Sequence, residues 1–387
     1  MTQPTNYRRA DLDWLRIGAF AILILYHCGM FYVADWDWHV KNSETYGWLK
    51  DLMKLTNPWR MSLLFLLSGM ALALARQKFS AWQLLRLRAS RLLIPLLFGM
   101  FVVVVPQVYF EALSQQLITP GYVEFWWQYI QPNTELLPEH HSAIGLLTWN
   151  HLWFLPYLFC YSVLILPLHA VGKLLARQSR SWPLWTFMLL VVALHLLAFI
   201  TLREAFPSTH ALADDWYNHA KYGLVFVAGY WLALQQNWWQ RLTLIRYRLL
   251  AVALLGYALG VLDNHDVFDD LDGSSLGLAL VFSLCSVLNH WAWLGVVLAF
   301  AGVYLQRPSF DEDDRIRRYT SAAILPWYVL HQTLVVVFAV ALQPLALPDG
   351  LEAIVLIFIT VIGCGFGYEL IRRQALLNWL CGGARAK

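Results

Sequence analysis

The sequence predicts an all-α polytopic membrane protein with about ten transmembrane helices and with both termini in the cytoplasm. Of its 387 residues, 59% are hydrophobic and only 14% are charged, a composition too apolar for a soluble globular protein. Apolar runs of about 18–25 residues recur along the chain, and an α-helix of this length crosses a bilayer. The formal net charge of +3 gives no indication of a nucleic-acid partner, and none is expected.

The predicted spans are separated by polar connections and are taken together as a single integral-membrane domain over residues 1–387. They lie near residues 14–34, 58–76, 92–112, 152–172, 183–202, 220–236, 248–263, 276–304, 320–343 and 352–371. The five cysteines form no CxxC pair, so neither a disulfide framework nor a metal site is expected.

The basic residues set the predicted topology. With the N-terminus in the cytoplasm, most of the 28 lysines and arginines fall in the inner connections, as the positive-inside rule requires. An even number of spans then returns the C-terminus to the same side. The first span is long and no small-residue cleavage site follows it, so it is expected to stay in the mature protein rather than to be a signal peptide.

The first span carries Arg16 and His27, which are eleven residues apart. Eleven residues make about three helical turns, so both side chains lie on one face, roughly 16 Å apart along the axis. An ionisable residue at membrane depth is by default a candidate functional residue. The pair therefore indicates a long ligand along the helix, with its charged end at Arg16 and its reactive end at His27. Asp11 and Asp13 precede this span and are expected to cap its helix.

The second and third spans add candidates for ligand binding. Arg88 and Arg91 lie three residues apart before Pro95, so one helix face presents two guanidinium groups that can clamp a phosphate. The alternative is that they anchor the protein to the anionic inner leaflet. Arg60 begins the second span on the outer side, and Ser68 lies within that span.

Histidines and tryptophans mark the predicted outer side. His151 and Trp153 begin the fourth span, His331 lies near the middle of the ninth, and Trp38 lies in the first outer loop. Under the predicted topology His27, His151 and His331 gather in the outer half of the membrane. Outer tryptophans can stack on sugar rings, although the interfacial aromatic belt of membrane proteins accounts for most of them.

Five short motifs resemble those of the membrane-bound acyltransferase-3 family. They are the spacing of Arg16 and His27, Phe65–Gly69, Arg88–Arg91 before Pro95, His151–Leu155, and Tyr328–His331. They occur in order from the first span to the ninth, so the resemblance covers nearly the whole chain. The strings Trp38-His39-Val40 and Arg60-Met61 are similar to the branch of that family that succinylates osmoregulated periplasmic glucans.

The resemblance implies an enzyme that moves an acyl group from cytoplasmic acyl-CoA to sugar hydroxyls on the far side of the membrane. It implies that Arg16, Arg88 and Arg91 bind the donor and that His27 takes part in catalysis. The narrower likeness implies succinyl-CoA, with acetyl-CoA as the other donor, and a periplasmic glucan or other glycan as acceptor. It also implies a multi-pass protein of the bacterial inner membrane, with a homo-oligomer left open.

Acyl transfer from a thioester to an alcohol needs a base for the hydroxyl proton and donors for the developing oxyanion. His27 is the expected base, because imidazole has the unperturbed pKa nearest neutrality. The alternative is a structural histidine bonded to a backbone carbonyl.

The other candidate residues are expected to bind the substrates or to assist His27. Arg16 is expected to meet a phosphate or the pantetheine arm and to assist catalysis, or else to snorkel to the interface. His331 is a catalytic candidate, for oxyanion stabilisation or positioning, and Ser68 shares this role on the donor side; interhelical hydrogen bonding is the alternative for both. The expected acceptor-binding residues are His151, Arg60, Trp153 and Trp38.

A secondary transporter or a lipid-linked glycan flippase is the competing interpretation, with the buried histidines as a proton relay. Such a protein more often shows inverted repeats and helices broken by glycine or proline at matching places. The sequence shows neither feature, which favours the enzyme.

Overall fold

The described part of the chain is helical and contains no β-strand. The structure, a computed structural model, describes residues 10–142, 144–269, 271, 275–305 and 314–383. The α-helices are α1 (Ala10–Tyr32), α2 (Gly47–Lys54), α3 (Arg60–Ala75), α4 (Ala81–Phe98), α5 (Val105–Ser114), α6 (Tyr122–Tyr129), α7 (Phe154–Ile165), α8 (His169–Gln178), α9 (Leu184–Leu202), α10 (Trp216–Ala233), α11 (Gln236–Leu244), α12 (Arg246–Asn264), α13 (Leu276–Tyr304), α14 (Asp314–Leu342), α15 (Asp349–Arg373) and α16 (Ala375–Leu380).

Seven helices of the described chain are long and apolar enough to cross a bilayer, or eight if one bent pair counts as a single span. The bent pair, Asn150–Ile165 and His169–Ser181, turns by 74°. Pro167 lies at the break, and proline interrupts helical hydrogen bonding. The apolar helix α3 is shorter, with 16 residues.

The described chain is helical, with seven helices able to cross a bilayer, so the prediction of an all-α polytopic membrane protein is confirmed. The predicted fourth span, 152–172, is divided between the two helices of the bent pair, and the spans predicted near 58–76 and 220–236 correspond to α3 and α10, which are not among the seven. The number ten and the orientation in the membrane stay predictions. Some of the basic residues behind the predicted topology lie outside the described residues, namely Arg8, Arg9, Arg307, Arg385 and Lys387.

The chain divides into two compact units, each made of separate stretches of sequence. The first contains Met1–Ala19, Lys54–Leu85 and Cys160–Ser321, and the second contains Phe20–Met53, Arg86–Phe159 and Ala322–Lys387. The predicted single domain over 1–387 stays a prediction.

In the first unit, α3 and α10 pack backbone against backbone. A Cβ atom added to Gly69 would lie 2.1 Å from the carbonyl oxygen of Phe226, and one added to Gly229 would lie 2.1 Å from that of Leu66. Small residues permit this close approach of two membrane helices. The glycine of the Phe65–Gly69 motif is therefore a helix-packing residue.

In the second unit, Lys41 closes the C-terminal end of α1. Its ammonium group donates to three backbone carbonyls, those of Met30 at 2.8 Å, Val33, and Trp36 at 3.2 Å. A cation at this end of a helix satisfies orphan carbonyls and complements the helix dipole. Burial lowers the pKa of Lys41 below its usual value. The contact fixes the loop over residues 33–46.

Candidate active site

The second unit brings two of the predicted histidines, His27 and His331, into contact. Nδ1 of His27 lies 2.8 Å from Nε2 of His331, and the two rings stack with centroids 4.9 Å apart. His331, in α14, is fully buried, whereas His27, in α1, is half-buried. His27 is therefore the member of the pair that a substrate can approach.

Backbone carbonyls of α14 fix the tautomer of His331. Its Nδ1 lies 2.8 Å from the oxygen of Tyr328 and 3.2 Å from that of Trp327, and a carbonyl oxygen can only accept. Nδ1 of His331 therefore carries the proton, and its Nε2 accepts a hydrogen bond from Nδ1–H of His27. Nε2 of neutral His27 then carries the lone pair. Phe20 packs edge-on against the ring of His331, with centroids 5.3 Å apart.

His151 binds to the same turn of α14. Its Nε2 donates to the carbonyls of Tyr328 at 3.1 Å and Val329 at 3.2 Å, and the Tyr328 hydroxyl donates back to the carbonyl of His151. The His151 ring lies edge-on to His331, with centroids 5.2 Å apart. Because the Tyr328 carbonyl accepts from both histidines, it sets the relative position of the two imidazoles.

Gln107, in α5, is the centre of a buried polar network. Its amide nitrogen donates to Oγ1 of Thr333 at 2.6 Å and to Nδ1 of His151 at 3.3 Å. Its amide oxygen accepts from Asn150 at 3.2 Å and from Gln332 at 3.1 Å. A primary amide has two donor hydrogens and two acceptor lone pairs, so the side chain of Gln107, which is 0% exposed, is fully satisfied.

A π-helical turn over Gly99–Val103 contributes a backbone carbonyl to this network. The backbone N–H of Gln107 donates to the carbonyl of Val104 at 2.9 Å, and the carbonyl of Val103 accepts from Oγ1 of Thr333 at 2.6 Å. Turns of this kind release a backbone carbonyl from the helix and are frequent at functional sites.

His39 and Glu111 extend the network beyond the fully buried residues. Nδ1 of His39 lies 2.5 Å from Oε2 of Glu111, and Nε2 of His39 lies 2.9 Å from the amide nitrogen of Gln332. The amide nitrogen is a donor, so Nε2 of His39 accepts and Nδ1–H donates to the carboxylate. The side chains of His39 and Glu111 are 14% and 31% exposed, so the protein covers this His39–Glu111 dyad only in part.

Replacing Gln107 with leucine is expected to lower the thermal stability of the protein. The change removes four hydrogen bonds and leaves buried polar partners unsatisfied, each at a cost of about 1–3 kcal/mol. The measurement is the apparent unfolding temperature of the purified protein in detergent, followed by tryptophan fluorescence. Gln178→Leu, at an exposed amide of α8, is the matched control. An unfolding temperature for Gln107→Leu equal to that of the control would contradict the role of Gln107.

Four further predicted residues, Arg88, Arg91, Trp153 and Trp38, lie in the second unit. Arg88 is half-buried and Arg91 is exposed, one turn apart in α4, and Nε of Arg91 donates to the carbonyl of Gly382 at 3.4 Å. Trp153 is buried, with its ring 5.3 Å from that of Tyr157. Trp38 is half-buried, with its ring 5.7 Å from that of His39.

In the first unit, Asp13 joins two arginines. Its carboxylate lies 3.1 Å from Nη1 of Arg317 and 3.6 Å from Nη1 of Arg16. Asp11 and Asp13 lie within α1, which begins at Ala10, so the expectation that they precede the helix as caps is wrong. Asp13 instead pairs with Arg317, a buried arginine that requires a carboxylate partner.

The remaining predicted residues of the first unit are Ser68 and Arg60. Ser68 is half-buried in α3, and Arg60, the first residue of that helix, is 5% exposed. Because Arg60 is buried, it is not an ordinary solvated surface arginine.

Part of this arrangement is not predicted by the sequence. The missed residues are Gln107, Gln332, Thr333, Asn150, His39, Glu111 and Arg317. The available signal was polar side chains inside apolar runs, such as Gln332 directly after His331. Membrane interiors retain such side chains where they bond across helices or serve a function.

A comparison with protein families identifies the family of the chain. The family model described as an acyltransferase domain matches residues 9–369, a stretch that includes the His27–His331 pair, the His39–Glu111 dyad and the Gln107 network. No curated protein and no solved structure matches the chain. Since the family match covers most of the sequence, the chain belongs to the acyltransferase-3 family.

Proposed function

We propose that this protein is a membrane O-acyltransferase that moves an acyl group from acyl-CoA to a glycan hydroxyl, with His27 as the general base. The observation that carries the proposal is the stacked His27–His331 pair. Backbone carbonyls set the tautomer of His331, and His331 in turn sets that of His27. A base oriented by a second group is the general arrangement for activating a hydroxyl.

The proposed reaction transfers one proton and one acyl group. Nε2 of His27 takes the proton of the glycan hydroxyl while the hydroxyl oxygen bonds to the thioester carbonyl carbon. The tetrahedral intermediate collapses by breaking the carbon–sulfur bond, and the sulfur receives the proton from the His27 imidazolium. The products are an O-acyl glycan and the free thiol of CoA. Nε2 of His331 accepts from His27 throughout and stabilises its cationic form.

His331 has a positioning role in this proposal. Both of its ring nitrogens already bond within the protein and the ring is fully buried, so it acts through His27 rather than on the oxyanion. Of the predicted donor-binding residues, Arg88 and Arg91 present two guanidinium groups one turn apart, which suits the phosphates of CoA. The predicted roles of Arg16, Ser68 and Arg60, which belong to the first unit, stay predictions.

We favour succinyl-CoA as donor, with acetyl-CoA as the other candidate, and a periplasmic glucan or other glycan as acceptor. His151, Trp153 and Trp38 belong to the proposed acceptor side. The proposal places the protein in the bacterial inner membrane, with the donor on the cytoplasmic side and the acceptor on the periplasmic side.

Removing both arginines of α4 tests the donor. Arg88→Ala with Arg91→Ala is expected to raise the KM for acyl-CoA by at least about 100-fold, because each charge-assisted hydrogen bond contributes about 1.5–3 kcal/mol and the double variant loses one from each arginine. Release of CoA thiol by purified protein in lipid nanodiscs is the readout, with succinyl-CoA and acetyl-CoA compared.

Arg180→Ala, at an exposed arginine in a 3-10 turn, is the control for loss of positive charge. An unchanged KM in the double variant would remove Arg88 and Arg91 from the donor site. If the parent protein binds neither acyl-CoA, the transporter or flippase interpretation gains over the enzyme.

A further inference from the structure

We propose that the His39–Glu111 dyad, together with Trp38, is the subsite that holds the acceptor sugar. The inference rests on the proposed O-acyltransferase function and names the residues that bind its acceptor. It follows from four properties of the dyad: a carboxylate oxygen open to a ligand, a neighbouring indole, a negative charge, and a link to the residue next to His331.

The carboxylate of Glu111 has one oxygen to offer. Its Oε2 accepts from His39, whereas Oε1 makes no hydrogen bond with any residue that the structure describes. The side chain is 31% exposed, so the carboxylate is not closed off by the protein. Sugar hydroxyls are donors, and a hydrogen bond to an ionised acceptor is stronger than one between neutral groups.

Trp38 supplies an apolar surface beside the dyad. Its ring lies 5.7 Å from that of His39 and is half-buried. The indole packs against a small core of Met30, Val33 and Met53, which holds it in place. A rigid aromatic ring beside a carboxylate matches a pyranose, which has apolar C–H faces and a rim of hydroxyls.

The charge of the dyad favours the acceptor over the donor. Within the described chain no lysine or arginine forms an ion pair with Glu111, whose carboxylate pairs with His39. The phosphates of CoA and a succinyl carboxylate are anions, so Glu111 repels them. An uncharged glycan meets no such repulsion.

Consecutive residues of α14 connect the dyad to the base. Gln332 donates to Nε2 of His39, and the preceding residue, His331, accepts from His27. Gln332 also donates to Gln107, so its amide is fixed at both hydrogens. A sugar held at Glu111 is thereby placed by the same helix that orients His27.

The test compares the KM for the acceptor with the KM for the donor. The probe is the oligosaccharide fraction extracted from the periplasm of the bacterial host, with radiolabelled succinyl-CoA as donor. Glu111→Gln and His39→Gln are expected to raise the KM for the oligosaccharide at least about tenfold, since a lost hydrogen bond to a charge has this effect. The KM for succinyl-CoA is expected to stay within about twofold, because the dyad touches only the acceptor.

Matched controls and a second variant complete the test. Glu124→Gln and His140→Ala, at exposed positions, are expected to change neither KM. Trp38→Leu leaves the dyad intact and is expected to raise the acceptor KM as well, which covers the case in which a dyad variant fails to fold.

An unchanged acceptor KM, or a rise confined to succinyl-CoA, overturns the subsite. Absence of transfer by the parent protein overturns the proposed function and the subsite together, whereas loss of transfer in His27→Ala with an unchanged acceptor KM in Glu111→Gln overturns the subsite alone.

Discussion

Replacing His27 with alanine is expected to lower kcat for acyl transfer by about 10²–10⁴-fold, the contribution of a positioned general base. The imidazole is the half-buried member of the stacked pair, and its Nδ1–H is committed to Nε2 of His331. Alanine removes the lone pair that takes the hydroxyl proton and leaves nothing in its place. The measurement is the rate of CoA thiol release at saturating donor and acceptor.

Two further variants are compared with His27→Ala. His265→Ala, at an exposed position beyond α12, controls for the loss of an imidazole and is expected to keep full activity. His331→Ala removes the acceptor for His27 Nδ1–H but leaves the base itself in place, so we expect a smaller loss of kcat and a changed pH profile, because the tautomer of His27 is no longer fixed. If His27→Ala turned over at the parent rate, His27 would have no part in the proton transfer.

The spans could be predicted from the sequence because length and apolarity alone decide whether a helix can cross a bilayer. The sequence predicts that Arg16 and His27 lie on one helix, and both lie in α1. The boundary between the two units falls within that helix, so Arg16 belongs to the first unit and His27 to the second. The 74° bend after α7 was predictable from Pro167 but was missed, because the apolar run continues through it.

The partners of the candidate residues could not be predicted in the same way. Gln107 and Thr333 are more than 200 positions apart in sequence, and only the folded chain shows that they bond. His39 belongs to a short string that resembles the family, whereas its bond to Glu111 depends on how the loop after α1 packs against α5. Single-sequence patterns report periodicity within an element, not contacts between elements.

Gly69→Ala is expected to destabilise the protein by about 1–3 kcal/mol or more, as overpacking does in a well-packed interior. The new Cβ would lie 2.1 Å from the carbonyl oxygen of Phe226 and 3.0 Å from the backbone nitrogen of Tyr230. Backbone atoms cannot swing aside as a flexible side chain does, so α3 and α10 must move apart. The apparent unfolding temperature in detergent and the folded fraction on size-exclusion chromatography measure the loss.

Gly260→Ala is the matched control, since a Cβ at this position of α12 meets nothing within 4 Å. Alanine has the higher helix propensity, so this control is expected to be neutral or to gain about 0.5–1 kcal/mol. Gly229→Ala should reproduce the loss from the opposite helix, where the Cβ would meet the carbonyl of Leu66 at 2.1 Å. Both substitutions are relieved by the same separation of α3 from α10, so the double variant should cost less than the sum of the single variants. Strict additivity of the two losses would mean that the helices do not move as a pair.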